Sequence, residues 1–192
     1  MNKYGFYLTM YKERDILTIN YIGITGKAGS GKSTAADFIK GQCHRSTVAL
    51  IIPFAKRLKE MATLAGWDGA KDDKGRKFLQ DFGELMRRYD KDYWVKEWKT
   101  EADSMLQEVR YYRGFDAPKD YLIIVDDVRY NNEAEEIIRL GGKVIKIYGR
   151  GGLSEALGQH ESELGINPEY ISNGINNSGT FADLAKEVTL GK

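Results

Sequence analysis

The stretch that decides the fold is Gly26-Lys27-Ala28-Gly29-Ser30-Gly31-Lys32-Ser33, followed directly by Thr34. It fits the pattern G-x-x-x-x-G-K-[ST], in which backbone N–H groups of a glycine-rich loop surround phosphate groups. The apolar run 19–25 before it predicts a buried strand, and residues 34–40 after it predict a helix. The pattern requires this context, which favours a loop that binds a nucleoside triphosphate over an ordinary glycine-rich turn.

The residue types of this loop predict separate roles. Lys32 is expected to reach the β- and γ-phosphates, and the Ser33 hydroxyl is expected to bind Mg²⁺. Gly29 and Gly31 allow the backbone to approach the phosphates closely. The predicted contacts to the nucleotide come from Gly26, Ala28, Gly29, Ser30, Gly31, Lys32, Ser33 and Thr34.

The composition is that of an ordinary soluble domain. The chain has 192 residues, of which 42% are hydrophobic and 30% charged, enough for one α/β domain with a full core. Lys and Arg number 29 and Asp and Glu 28, which gives a formal net charge of +1. A protein dedicated to binding nucleic acid usually carries a basic excess, so we expect no nucleic-acid polymer as a partner.

The cysteine and histidine content and the N-terminal residues predict a cytoplasmic protein. Cys43 is the single cysteine, which excludes an internal disulfide and fits a reducing compartment. With His44 and His160 as the two histidines, a zinc cluster is not expected. Residues 1–19 hold several charges and no apolar run long enough for a signal peptide or a membrane span.

Apolar runs alternate with helical patterns, which predicts an α/β fold with a mostly parallel five-stranded sheet and helices on both faces. The predicted strands are 19–25, 47–52, 121–126, 143–148 and 170–173. The predicted helices are 32–42, 54–65, 75–89, 91–112, 130–140 and 180–188.

We expect one domain over 1–192 with three appended parts. Residues 1–18 form an N-terminal extension, either an extra strand or a loose segment. Residues 66–120 contain two charged helices and no strand, which suggests a helical insertion that covers a substrate or packs on the sheet. The glycine-rich stretch 149–160 predicts a mobile lid.

The strand 121–126 runs into a pair of carboxylates, Asp126 and Asp127. An apolar strand that ends in carboxylates is the Walker B arrangement, which puts an Asp near the metal at the carboxyl edge of the sheet. Either residue of the pair is a candidate Mg²⁺ ligand, and the other is then available to the acceptor. The alternative is that they cap the following helix. Arg129 follows on the same edge as a candidate phosphate ligand.

Further cations and aromatics follow other predicted strands or lie in the insertion. Phe54, Lys56 and Arg57 follow the second strand: Phe54 is a candidate to stack on a base, and Lys56 or Arg57 to meet an acceptor phosphate, although a helix start with surface cations is commonplace. Arg76 and Gln80 are one helical turn apart and share a face. Trp94 and Trp98 have the same spacing, which favours the core.

Arg150 lies between glycines at the start of the lid, where neighbours that would pair with it are few. A guanidinium group there is a candidate to offset charge on a transferring phosphoryl group.

These segments, in this order, resemble the phage-type deoxynucleoside monophosphate kinases, a branch of the P-loop kinases. The resemblance covers about residues 19–190, and the shared order of the motifs is its specific part. The matching segments are 26–33, 54–59, Arg76 with Leu79-Gln80 and Gly83, Trp94, 127–133, 141–145, Arg150, and His160 with Ser162-Glu163.

The resemblance implies a three-layer α/β/α P-loop kinase that transfers the γ-phosphate of ATP to a deoxynucleoside monophosphate, with Mg²⁺. By resemblance Lys56, Arg76 and Arg129 would hold the acceptor, and Arg150 would close over the transferring phosphate. Gln80 and neighbouring aromatics, Phe54 and Trp94 among the candidates, would line the base pocket. The candidate catalytic residues are Lys32, Asp127, Arg129 and Arg150. If a phage encodes the chain, its compartment is the host cytoplasm.

Two rival functions share the glycine-rich loop. One is a kinase of another phosphorylated small molecule, such as dephospho-coenzyme A. The other is an ATPase or GTPase switch, although the sequence has no N-K-x-D element of the kind GTPases use to read guanine. The accepted base and the oligomeric state stay open, a homodimer being one option.

Overall fold

The computed structural model describes residues 17–113, 118–151 and 165–190. These residues form one five-stranded sheet and six α-helices. The strands are β1 (Thr18–Thr25), β2 (Thr47–Ile51), β3 (Asp120–Val128), β4 (Lys143–Tyr148) and β5 (Ile171–Asn176). The helices are α1 (Lys32–Gly41), α2 (Ala55–Leu64), α3 (Asp73–Tyr89), α4 (Tyr93–Arg113), α5 (Asn131–Arg139) and α6 (Phe181–Leu190).

All neighbouring strands of the sheet are parallel, in the order β2-β3-β1-β4-β5. The central strand β1 therefore has β3 on one side and β4 on the other. Thr25, the last residue of β1, pairs with Val128, the last residue of β3. The glycine-rich loop after β1 and the acidic pair of β3 are thus brought to the same edge of the sheet, where ligands of open α/β sheets bind.

Apolar side chains cover both faces of the sheet. On one face Trp98 of α4 and Ile137 of α5 pack in one buried cluster with Ile123 of β3. On the other face Ala36 of α1 and Leu184 of α6 pack with Ile124, the next residue of β3. Successive side chains of a strand point to opposite faces, so β3 contributes to both cores. The predicted arrangement of a sheet between two helical layers is therefore confirmed.

The predicted insertion contains the two long helices α3 and α4, which pack against α2 and against each other. Helix α3 starts at an N-cap, because the Asp72 carboxylate accepts a hydrogen bond from the backbone N–H of Gly75 at 2.8 Å. Trp98 of α4 is 1% exposed, as its spacing from Trp94 suggested. These three helices form one wall beside the carboxyl edge of the sheet.

The observed bounds differ from the predicted ones mainly in two strands. Strand β3 continues to Val128, so the acidic pair lies inside the strand and not after it. Strand β5 covers Ile171–Asn176, where the sequence predicted only 170–173. The glycine and the asparagines near its end are residue types typical of turns. They nevertheless belong to the strand, because they pair with β4.

Part of the predicted outline lies outside the described residues. This applies to residues 1–16 of the extension and to residues 152–160 of the lid, including His160, and also to Ser162 and Glu163. The lid therefore stays a prediction. Among the helices that the structure describes, none combines the length and hydropathy needed to cross a bilayer.

Candidate active site

The glycine-rich loop has a backbone that side chains would obstruct. Gly26, Gly29 and Gly31 have positive φ angles of 144°, 75° and 97°. A Cβ atom on Gly26 would lie 2.3 Å from the carbonyl oxygen of Ile147 in β4. Glycine is therefore required at this position both for its conformation and for the close approach of two backbones.

Lys32 is largely buried and its ammonium group lies across the loop. Its Nζ donates to the carbonyl oxygens of Gly26 at 2.7 Å and Lys27 at 2.8 Å. Burial, together with the positive charge of Arg129, lowers the pKa of Lys32 to about 8, although Asp127 and Asp126 act in the opposite direction. The loop thus holds a partly desolvated cation, which an incoming phosphate would stabilise.

Ser33 and Asp126 form the pair that fits a magnesium ion. The Ser33 hydroxyl, at the start of α1, donates to a carboxylate oxygen of Asp126 at 2.6 Å. Both side chains reach the exposed side of the loop, and hydroxyl and carboxylate oxygens are ligands that Mg²⁺ accepts. These two oxygens suit the ion that a bound triphosphate would bring.

Asp127 has a different environment from its neighbour Asp126. Its two carboxylate oxygens accept hydrogen bonds from the backbone N–H groups of Phe54 at 2.7 Å and Ala55 at 2.9 Å. Asp127 therefore caps α2, a helix far away in sequence, and not the helix that follows it, which was the alternative to a role in the site. Burial raises the pKa of this carboxyl group. Because both oxygens of Asp127 are engaged, the fit to Mg²⁺ favours Asp126.

A cleft of about 380 Å³ opens beside the glycine-rich loop, a size typical of small-molecule sites. Ala28 of the loop and Asp127 of β3 form its end at the sheet. Aromatic and aliphatic side chains of α2 to α4 and their connections form much of the wall, among them Phe54, Trp67 and Trp94. The cleft is therefore an apolar slot that begins at the predicted phosphate loop.

Three arginines line this cleft, namely Arg76 and Arg87 of α3 and Arg129, which directly follows β3. Two of them, Arg76 and Arg129, were predicted from the sequence. Gln80 lines the cleft as well, as its position one turn after Arg76 predicted. The guanidinium groups and the amide give this apolar slot several donors for a phosphorylated ligand.

Arg87 is held by two neighbours beyond the end of β3. Its guanidinium carbon lies 3.6 Å from the centre of the Tyr130 ring, and its Nη2 lies 3.5 Å from a carboxylate oxygen of Glu133. The Arg87 side chain is 17% exposed and that of Glu133 only 4%. A guanidinium confined in this way is oriented before any ligand arrives.

Glu133 also fixes the backbone beside Arg129. Its second carboxylate oxygen accepts hydrogen bonds from the N–H groups of Arg129 at 2.7 Å and Tyr130 at 3.1 Å. Burial is the main cause that raises the pKa of Glu133 to about 7, and the charge of Asp127 adds to it. Glu133 thus connects two of the three arginines of the cleft.

The sequence reasoning missed Arg87, although α3 carried a signal for it. Arg76, Gln80, Gly83 and Arg87 are spaced four, three and four residues apart, which is the period of one helix face. Gly83 leaves room on that face, and its carbonyl oxygen accepts the indole N–H of Trp94 at 3.0 Å. Trp94 lines the cleft, as predicted, and its indole N–H is already used in this hydrogen bond to α3.

Lys56 does not line the cleft, so the expectation that it faces the acceptor is not supported. Its ammonium group is paired with Glu101 of α4. The same helix α2 presents Lys59, three residues later, to the cleft. The first residues of a helix do not reveal in sequence which face meets its neighbours, so the sequence could not distinguish the positions of Lys56 and Lys59.

Arg150 lies on the side of the glycine-rich loop away from the cleft. Its guanidinium donates to the carbonyl oxygen of Gly179, in the connection between β5 and α6. Its neighbour Gly151 packs on the loop, since a Cβ atom there would lie 2.1 Å from the carbonyl oxygen of Ala28. Arg150 is exposed, and its closure over a phosphate stays a prediction.

In comparisons with known proteins, no family model and no curated protein sequence matches the chain. The resemblance of its motifs to a kinase family is therefore a hypothesis, which the geometry of the site has to support.

Proposed function

We propose that the chain is a nucleotide kinase, which transfers the γ-phosphate of ATP to a deoxynucleoside monophosphate. The observation that carries this proposal is the position of the cleft. It starts at Ala28 of the glycine-rich loop and contains Arg76, Arg87 and Arg129. One triphosphate on the loop has Lys32 and a magnesium ion as counter-charges, so three further arginines favour a second phosphorylated substrate.

Phosphoryl transfer needs alignment and charge stabilisation more than covalent help from the protein. An oxygen of the acceptor phosphate forms the new bond to the γ-phosphorus, and the bond from that phosphorus to the β,γ-bridging oxygen breaks. The electron pair of this bond stays on the leaving ADP. In this proposal Lys32 stabilises the charge on the donor side, and Arg129 and Arg87 orient the acceptor phosphate. Ser33 and Asp126 would hold Mg²⁺, which neutralises charge on the donor phosphates.

The apolar and aromatic walls of the cleft support an acceptor that carries a planar base. Phe54, Trp67 and Trp94 offer aromatic surface, and Gln80 offers both a donor and an acceptor for a base edge. Arg76, whose Nε donates to the carbonyl oxygen of Lys71 at 3.0 Å, is expected to meet the outer end of the acceptor.

The test is a coupled assay of ADP release with ATP and a panel of acceptors. The panel contains deoxynucleoside monophosphates, ribonucleoside monophosphates and dephospho-coenzyme A. We expect turnover that depends on a deoxynucleoside monophosphate and a product that is the diphosphate. Turnover with dephospho-coenzyme A alone would identify a kinase of another metabolite, and ADP release without any acceptor would identify an ATPase. Either result would overturn the proposal.

A further inference from the structure

Asn177 is a buried polar residue behind the glycine-rich loop, just after β5. It is 5% exposed, and its side-chain nitrogen donates to the carbonyl oxygen of Ser30 at 2.8 Å. Its backbone N–H donates to the carbonyl oxygen of Tyr148 at 2.7 Å, which fixes the residue to the end of β4. The sequence around Asn177 predicted a turn and no role in the site.

The contact between Asn177 and the loop is close. A Cβ atom on Gly31 would lie 2.3 Å from the side-chain nitrogen of Asn177 and 3.8 Å from the Leu184 side chain. Asn177 thus fills the space that a side chain at position 31 would need. This adds a packing reason for glycine to the positive φ of 97° at the same residue.

The hydrogen bond fixes the orientation of one peptide group of the loop. The peptide between Ser30 and Gly31 is trans and planar, so its C=O and N–H bonds point in opposite directions. Because the C=O of Ser30 faces Asn177 in the protein interior, the N–H of Gly31 faces the open side of the loop. Backbone N–H groups on that side are the donors that a phosphate would meet.

We propose that Asn177 is a positioning residue for the donor phosphates, acting through the Ser30–Gly31 peptide group. The inference rests on the nucleotide-binding half of the proposed function and is independent of the acceptor. Without the side-chain amide, the Ser30 carbonyl loses its buried partner and the peptide plane is free to rotate. The loop then binds phosphate with an N–H group that is no longer held in place.

The experiment measures equilibrium binding of two probes in the presence of Mg²⁺, ATP and inorganic tripolyphosphate. The variants are Asn177→Ala and Asn177→Leu, the second of which keeps the approximate shape, lacks the donor and adds no charge. We expect both to bind either probe about tenfold more weakly than the unchanged protein, the loss typical of one buried hydrogen bond. The matched control is Asn173→Ala, an exposed asparagine on β5 whose side chain accepts from its neighbour Gly174, and it should bind as the unchanged protein does.

Tripolyphosphate separates phosphate positioning from contacts to the nucleoside. A loss that appears with ATP and is absent with tripolyphosphate would overturn the inference, because Asn177 would then act on the base or sugar. Equal binding by all variants would overturn it as well. If Asn177→Ala melts below the assay temperature, the Leu variant decides. An unchanged protein that binds neither probe would overturn both this inference and the donor half of the proposed function. Weakened binding by both variants, in a protein that phosphorylates no nucleotide, would support the inference and reject the kinase.

Discussion

In the proposed function the site has a donor half and an acceptor half, and these two halves are held in different ways. On the donor side, short hydrogen bonds to backbone groups shape the loop, from Lys32 to Gly26 and Lys27 and from Asn177 to Ser30. On the acceptor side, long side chains from separate elements meet, as Arg87, Tyr130 and Glu133 do.

This difference separates a rigid half from an adjustable one. The loop depends on glycine conformations and on fixed peptide planes, and an added side chain would collide with backbone at Gly26 and with the Asn177 side chain at Gly31. The arginines of the cleft are long side chains, two on α3 and one directly after β3, and partners that a substitution can remove hold Arg87 in position. We therefore expect donor-side substitutions to act in the same way whatever the acceptor, and acceptor-side substitutions to have substrate-specific effects.

The largest effect is expected for Lys32→Ala. Removal of the ammonium group takes away a charge that stabilises the transferring phosphate, and kcat should fall about a thousandfold. Because the helix α1 and the sheet do not depend on this side chain, the melting temperature should change little. The control is Lys27→Ala, an exposed lysine of the same loop, which should keep near-normal turnover. Normal kcat in Lys32→Ala would reject the assignment of the loop.

The next effect is expected for Arg87→Ala on the acceptor side. If Arg87 meets the acceptor phosphate, KM for the monophosphate should rise about ten- to hundredfold, the range for a charge-assisted hydrogen bond. KM for ATP should stay close to normal, because the donor loop makes no use of this residue. Arg88→Ala is the control, since Arg88 is 75% exposed and is paired with Glu84 on the outer face of α3. Equal increases in both KM values would remove Arg87 from the acceptor site.

The sequence located the residues of the glycine-rich loop better than those of the cleft for a physical reason. The loop of residues 26–33 is built by consecutive residues whose spacing is fixed by the backbone, so a short pattern describes it. Arg87 and Glu133 come together only through the packing of α3 against the end of β3, and their partners are far away in sequence. Asn177 donates a hydrogen bond to a loop residue that lies 147 positions away in sequence, and the residues around Asn177 are of types typical of turns. No local pattern carries such information.

The pH dependence distinguishes the halves further. The pKa of Lys32 is lowered to about 8 mainly by burial, so the free protein loses the ammonium charge above that pH. Because kcat/KM for ATP reports the free enzyme, it should fall about tenfold for each pH unit above this value. With saturating ATP, the bound phosphates keep Lys32 charged, and kcat/KM for the monophosphate should stay level to about pH 9. A profile for ATP that is level through pH 9.5 would contradict this role of Lys32.

The smallest effect concerns the carboxylate at the centre of the acceptor side. Burial raises the pKa of Glu133 from its ordinary 4.5 to about 7, so the folded protein takes up a proton in this range that the unfolded chain does not. Stability contributed by this group therefore falls as the pH rises through that window. Glu133→Gln is neutral at every pH and lacks this fall. The melting temperature of the variant minus that of the unchanged protein should be about 5 °C higher at pH 8 than at pH 5.

The control for this measurement is Glu187→Gln, which changes an exposed carboxylate on α6 and should give the same difference at both pH values. A pH-independent difference for Glu133→Gln would mean that Arg87 and the two backbone N–H groups compensate the buried charge fully. In that case the acceptor side would be as firmly preorganised as the donor loop. The two halves would then differ in the groups that hold them, backbone in one and side chains in the other, and not in their rigidity.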